Sequence, residues 1–127
     1  MSEQKVKILV ADDDQVLLDM YKERLSLSGF EVITAMDGEE ALNIAKKILP
    51  GVILLDVMMP KANGLDVLST LKSIPETKHI PILILTALSQ ENYRQKGLSA
   101  GAADYIVKSE TMPKDIVAKI KKAIKAN

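Results

Sequence analysis

The sequence predicts an α/β fold in which five parallel strands form an open, doubly wound sheet with helices on both faces. Short apolar runs alternate with longer segments of helical periodicity along almost the whole chain, which is typical of this class. Most of the apolar runs lack polar alternation, as expected of strands that are covered on both faces. Right-handed crossovers then favour the strand order 2-1-3-4-5, with a binding crevice at the carboxyl ends of strands 1 and 3.

The five predicted strands are rich in valine, isoleucine and leucine. They span residues 6–11, 31–35, 52–55, 82–85 and 104–107. Strand 2 is short and more mixed in composition than strands 1, 3 and 4, which suits the edge of a sheet.

The five predicted helices each follow a strand. They span residues 15–28, 37–48, 65–73, 89–98 and 112–126. Asp14 and Asp37 are the expected N-caps of the first two helices, and Gly29 is the expected stop signal of the first. Helix 4 has few apolar residues, which predicts low local stability. The expected inward-facing residues are Leu17, Met20, Tyr21 and Leu25 in helix 1, Ala41, Leu42, Ala45 and Leu49 in or just after helix 2, Leu65, Leu68 and Leu71 in helix 3, and Ile116, Val117, Ile120 and Ile124 in helix 5.

Composition limits the class of protein. We expect one domain over residues 1–127, which is an ordinary domain length. The 17 basic and 17 acidic residues cancel, so net charge favours neither nucleic acid nor an anionic membrane. The absence of cysteine excludes disulfides, thiolate metal sites and cysteine nucleophiles. No apolar stretch approaches the roughly 18 residues that span a bilayer, and residues 1–4 are polar, unlike a signal peptide. A cytoplasmic protein is expected.

Polar side chains suited to phosphoryl chemistry stand at the ends of four strands. Asp12 and Asp13 follow strand 1, Asp56 follows strand 3, Thr86 follows strand 4 and Lys108 follows strand 5. Parallel strands bring these ends to one edge. Two carboxylates about 4 Å apart repel by roughly 4 kcal/mol at an effective dielectric near 20, so the site needs protons or a cation. Few, hard oxygen ligands favour Mg²⁺.

An ionised aspartate in such a site is also a nucleophile that can form an aspartyl phosphate. Transfer of a phosphoryl group requires positioning and neutralised oxygens, for which Lys108 supplies charge, Thr86 a hydroxyl and the loop near Met58 a backbone amide. Each residue alone also fits a structural role, such as a helix cap, a turn former or a surface lysine. The convergence of complementary groups on one edge favours the phosphoryl or metal site.

Four motifs, ILVADDD, LLDVMMPKANG, LILTA and ADYIVK, resemble those of response-regulator receiver domains of two-component signalling, of the single-domain chemotaxis-regulator type. The resemblance covers about residues 5–126 and implies a flavodoxin-like (βα)5 fold. It implies that Asp56 is the phosphorylated residue, that Asp13 binds Mg²⁺ directly with Asp12 acting through water, and that the backbone carbonyl of Met58 is a further ligand.

The resemblance further implies that Thr86 and Tyr105 are switch residues and that Lys108 pairs with the phosphoryl group. The protein would then be a signalling phosphoacceptor that catalyses its own phosphorylation and dephosphorylation, not a conventional enzyme. Its donor would be the phosphohistidine of a histidine kinase or phosphotransfer protein. A changed face of helix 4, strand 5 and helix 5 would be read by a downstream protein effector. No nucleic-acid or membrane partner is expected, and the chain would be a monomer or weak dimer.

The sequence departs from the family pattern at four positions. Ser109 follows the lysine where proline is usual, so the geometry of residues 109–111 stays open. Gly51 replaces a common acidic residue. Met58 and Leu88 are apolar at positions that tune hydrolysis, which predicts a long-lived phosphorylated form.

Two other readings remain. The run from Asp12 to Val16 matches the nucleophile pattern of haloacid-dehalogenase-type phosphohydrolases, although strand 4 lacks their second acidic cluster. A receiver-like module that binds partners without phosphorylation is the other. His79, the sole histidine, is expected on the surface.

Overall fold

Five strands form a single parallel sheet in the computed structural model, which describes residues 5–126. They are β1 (Lys7–Ala11), β2 (Glu31–Ala35), β3 (Val52–Leu55), β4 (Ile82–Thr86) and β5 (Asp104–Val107). Their order across the sheet is β2-β1-β3-β4-β5, which confirms the predicted fold class and topology. The expectation that residues 1–4 are not a signal peptide lies outside the described residues.

Five helices and one turn of 3₁₀ helix connect the strands. They are α1 (Gln15–Leu27), α2 (Gly38–Ile48), α3 (Gly64–Ser73), α4 (Glu91–Ser99), the 3₁₀ turn (Lys108–Glu110) and α5 (Pro113–Ala126). In the described part of the chain, none of these helices has the length and apolar character needed to cross a bilayer.

Each of the first three helices is preceded by a residue whose side chain accepts a hydrogen bond from a backbone amide in the first turn. Asp14 Oδ1 accepts a hydrogen bond from the Val16 amide at 3.0 Å, as its predicted capping role requires. Asp37 accepts from the Glu40 amide at 2.7 Å, while the Glu40 side chain accepts from the Met36 amide at 2.8 Å. The arrangement differs from a capping box in one respect: the Glu40 side chain binds the amide of the residue before the cap, not that of Asp37 itself. It orients the start of α2 just beyond the end of β2.

Alternate residues of each central strand enter two separate apolar cores. In β3, Val52 and Leu54 pack with residues of α1 and α5, whereas Ile53 and Leu55 pack with residues of α2 and α3. All four are buried, and each stabilises the fold by roughly 1.5–3 kcal/mol relative to an exposed side chain. Helices on both faces therefore hold the middle of the sheet rigidly, and the strand ends become fixed points for functional groups.

Three local predictions were wrong. In α1, Met20 was expected to face inward but is 37% exposed, whereas Leu18 faces the core and is 1% exposed. The buried stripe of the helix runs from Leu18 through Tyr21 and Leu25 at helical spacing. Leu49 is 48% exposed and left-handed (φ 52°), since Pro50 opposes a further helical turn. Helix α4 begins at Glu91, two residues after the expected start at residue 89, and Gln90 provides no side-chain cap.

Candidate functional site

Three carboxylates meet at the carboxyl end of the sheet. Asp12, Asp13 and Asp56 each offer an oxygen, and these oxygens lie within 4.8 Å of one another. They meet because β1 and β3 are adjacent and Ala11 pairs with Leu55 in the final register position. Asp12 and Asp56 are 2% and 6% exposed, and Asp13 is exposed. A cluster with one open side suits a metal ion that also binds an incoming group.

Lys108 joins two of these carboxylates. Its Nζ donates to Asp12 Oδ2 at 2.6 Å and to Asp56 Oδ2 at 2.9 Å, with 16% of its side chain exposed. The cluster thus holds one ammonium and three carboxylates, Asp12, Asp13 and Asp56, which leaves a net charge of −2 when all three are ionised. This excess is the electrostatic condition that favours a divalent cation.

The environment shifts the titration of this ion pair. Burial raises the pKa of Asp12, and the hydrogen bonds from Lys108 and the Asp14 amide reduce that rise. Burial by itself would lower the pKa of Lys108, but hydrogen bonds to Asp12 and Asp56, together with their charges, raise it. The lysine is therefore held firmly as a cation. It supplies a fixed positive charge beside Asp56.

Backbone amides orient the two buried carboxylates. Asp12 Oδ1 accepts from the Asp14 amide at 2.9 Å. Asp56 Oδ1 accepts from the Met58 amide at 3.2 Å, which places the amide anticipated near Met58 on the carboxylate itself. The Met58 side chain is 61% exposed. Asp56 is consequently held from both sides, by an amide at Oδ1 and an ammonium at Oδ2.

Gly64 is a site residue to which the sequence analysis assigns no role. A Cβ built at this position would lie 2.0 Å from the backbone carbonyl oxygen of Asp56. Its amide also donates to the Val57 carbonyl at 2.8 Å. The loop after β3 thus folds directly over the Asp56 backbone. The only sequence signal was the position of this glycine at the end of the motif LLDVMMPKANG.

Thr86 and Tyr105 both contact Leu88, in the loop after β4. The Thr86 hydroxyl accepts from the Leu88 amide at 3.4 Å, and the Tyr105 hydroxyl donates to the Leu88 carbonyl at 2.8 Å. Both side chains are buried. The Tyr105 ring lies under α4, since a Cβ at Gly97 would be 3.1 Å from its Cδ2. One loop residue therefore links the two predicted switch side chains.

Tyr21 of α1 is buried in the core on the face of the sheet that α1 and α5 cover. Burial raises the pKa of its phenol, and the charges of Lys108, Asp12 and Asp56 also act on it. Sequence reasoning identified Tyr21 only as an inward-facing residue of a helix. Helical spacing does not reveal which charged groups act on a buried ring.

The structure describes two features that the sequence left open or placed on the surface: the peptide bond after Lys108 and the position of His79. All peptide bonds of residues 5–126 are trans, including the one between Lys108 and Ser109, where the 3₁₀ turn begins. His79 is exposed, as expected, on the connection between α3 and β4.

Comparison with known proteins places this geometry in a family. Residues 8–121 match the family model of the response regulator receiver domain. A probable transcriptional regulator, ycf27 of Porphyridium aerugineum, is 44% identical over 122 residues, which cover 96% of this chain and 49% of that protein. The chain spans about half the length of several such curated relatives.

Two solved structures share the whole fold. A putative response regulator from Chloroflexus aurantiacus is 34% identical with a TM-score of 0.89, covering 95% of this chain and 98% of that one. The chemotaxis response regulator CheY4 of Vibrio cholerae is 32% identical with a TM-score of 0.87, covering 94% and 99%. The chain belongs to the response regulator receiver domain family, whose members are phosphoacceptor switches of two-component signalling.

Proposed function

We propose that this receiver domain, extending over residues 1–127, accepts a phosphoryl group on Asp56 from the phosphohistidine of a histidine kinase or phosphotransfer protein. The observation that carries the proposal is the Lys108 ammonium, which binds both Asp12 and Asp56 beside the open carboxylate of Asp13. In the reaction an Asp56 oxygen attacks phosphorus, the phosphorus–nitrogen bond breaks, and the imidazole leaves with the electron pair and takes up a proton.

The carboxylate cluster fits Mg²⁺ as the cofactor. Asp13 and Asp56 would bind it directly, Asp12 through water, and the Met58 backbone carbonyl would be a further ligand. The fit rests on three carboxylates that meet within 4.8 Å while only one lysine offsets their charge. When bound, Mg²⁺ neutralises phosphoryl oxygens during transfer. Lys108 and the Met58 amide would also donate hydrogen bonds to those oxygens, since both already bind the Asp56 carboxylate.

Phosphorylation of Asp56 would change the surface of the domain through the contacts that Thr86 and Tyr105 make with Leu88. We propose that the Thr86 hydroxyl turns towards the phosphoryl group and that Tyr105 follows, because both side chains now bind the Leu88 backbone. This movement would alter the face formed by α4, β5 and α5. A protein effector would read that face in the cytoplasm, and the domain itself would act as a monomer or weak dimer without contacting nucleic acid or membrane.

Phosphorylation of Asp56 is tested with acetyl phosphate, Mg²⁺ and intact-mass measurement. We expect the unmodified chain to gain one phosphoryl group, Asp56→Asn to gain none, and EDTA to prevent the reaction. Asp66→Asn removes an exposed carboxylate from the start of α3 and should leave the gain unchanged. A phosphoryl group that persists in Asp56→Asn, or turnover of a phosphomonoester that requires Asp12 instead, would contradict the proposal. An unmodified chain that gains nothing would favour the binding-only module.

A long-lived phosphorylated form is expected because the exposed Met58 side chain carries no group that orients an attacking water. Met58→Asn should speed loss of the phosphoryl group by about tenfold by positioning water. Met58→Ala, which adds no such group, should change the rate by less than about twofold. The decay of the mass shift after removal of acetyl phosphate measures both rates. Equal acceleration by the two variants would instead indicate that Met58 acts by shielding.

A further inference from the structure

A second concave site lies at the opposite end of the sheet from the carboxylates. It is a cavity of about 360 Å³ beside Pro81, which precedes β4, and Asp104, which begins β5. The site around Asp56 follows the other ends of the strands. Because β4 has five residues at about 3.3 Å each, the two sites are roughly 15 Å apart. A ligand in this cavity would leave Asp56 accessible.

The cavity is strongly basic. Its charged lining residues are Lys72, Lys78, Lys119, Lys122 and Asp104. Four lysines against one carboxylate leave three uncompensated positive charges, in a chain whose net charge is zero. Asp104 is already bound to Lys119 at 3.3 Å. A cleft lined by one sign of charge concentrates counter-ions, so the cavity attracts anions.

Lys72 is fixed in position inside this cavity. Its Nζ donates to the Lys78 carbonyl at 3.1 Å and to the Ile80 carbonyl at 2.8 Å. Its aliphatic stem lies against Gly101, where a Cβ would be 3.3 Å from Lys72 Cγ. An ammonium has three N–H donors, so one remains for a ligand. Burial lowers the pKa of Lys72, and an adjacent anion would oppose that effect.

Apart from His79, the rest of the lining is apolar and includes Pro81, Leu83, Ala103 and Ala123. A volume near 360 Å³ is within the range of about 300–1,000 Å³ for small-molecule sites. Several separate ammonium groups suit a multiply charged phosphate as point-charge partners. We propose that this cavity binds a small phosphorylated molecule of nucleotide size, with its phosphates on Lys72, Lys78 and Lys122 and its apolar body against Pro81 and Leu83.

The test uses ADP as a probe and isothermal titration calorimetry of the whole chain in EDTA, so that no metal recruits phosphate to Asp56. Saturable one-to-one binding is expected, with much weaker binding of adenosine. The double variant Lys78→Gln/Lys122→Gln, which leaves the structural hydrogen bonds of Lys72 intact, should weaken ADP binding about tenfold. The matched control Lys46→Gln/Lys47→Gln removes two exposed lysines of α2 and should change it by less than about twofold.

Each other outcome overturns the proposal. Absence of saturable ADP binding, equal weakening by both double variants, or adenosine binding as tight as ADP would each exclude a phosphate site in this cavity. Asp56→Asn should leave ADP binding unchanged, and its loss in that variant would place the nucleotide at the carboxylate site instead. The phosphorylation assay is independent of these measurements, so failure here leaves the assignment of Asp56 standing.

Discussion

Replacing Lys108 by methionine is expected to lower the free energy of unfolding by about 3 kcal/mol in EDTA and to slow phosphorylation by about 100-fold or more. The substitution leaves Asp12 and Asp56 without the ammonium that binds both of them. These two carboxylates are 2% and 6% exposed. Removing one partner of a buried ion pair leaves charge without compensation. It also removes the fixed cation beside the attacking carboxylate.

Urea denaturation with and without Mg²⁺ measures the stability effect. Mg²⁺ should stabilise Lys108→Met more than the unmodified chain, since the ion then offsets charge that the lysine no longer does. Lys119→Met is the control: it breaks a lysine–aspartate pair that is longer, at 3.3 Å, and whose side chains are 42% and 33% exposed. A change within about 1 kcal/mol is expected there. Equal losses in the two variants would refute a special role for burial at Lys108.

Gly64→Ala is expected to lower the free energy of unfolding by about 3 kcal/mol, at the upper end of overpacking effects, and to slow phosphorylation of Asp56 more than tenfold. The added Cβ would lie 2.0 Å from the Asp56 carbonyl oxygen and 2.9 Å from the Val57 Cα. Both are backbone atoms and no rotamer change relieves the contact. The loop or the end of β3 must move, and Asp56 moves with it.

Gly29→Ala is the control for this prediction. Gly29 has a φ of +95°, and nothing lies within 4 Å of a Cβ built there. Its substitution should therefore lower stability by only about 1 kcal/mol through backbone strain and leave the phosphorylation rate unchanged. Rates are compared at a temperature where both variants are folded. If Gly64→Ala phosphorylates as fast as Gly29→Ala, the loop does not control the position of Asp56.

The central strands show why so much of the fold was predictable. Val52 to Leu55 form an unbroken apolar run. Burial on both faces of a sheet requires that pattern, so the sequence alone indicates a covered central strand. The ends of strands 1 and 3 then indicated where Asp12, Asp13 and Asp56 would meet. Helix faces were less predictable, because Leu18 and Met20 differ in burial only through the rotation of α1 on the sheet.

Local sequence thus determined the alternation of strands and helices, the caps at Asp14 and Asp37, and the set of chemical groups at one sheet edge. Tertiary structure alone decided that Lys108 bridges carboxylates 96 and 52 positions earlier in the chain, that Gly64 folds over Asp56, and that lysines of α3 and α5 surround one cavity with Lys78. Periodicity and capping act within about one helical turn or strand. Contacts between distant segments depend instead on how the packed layers lie against one another.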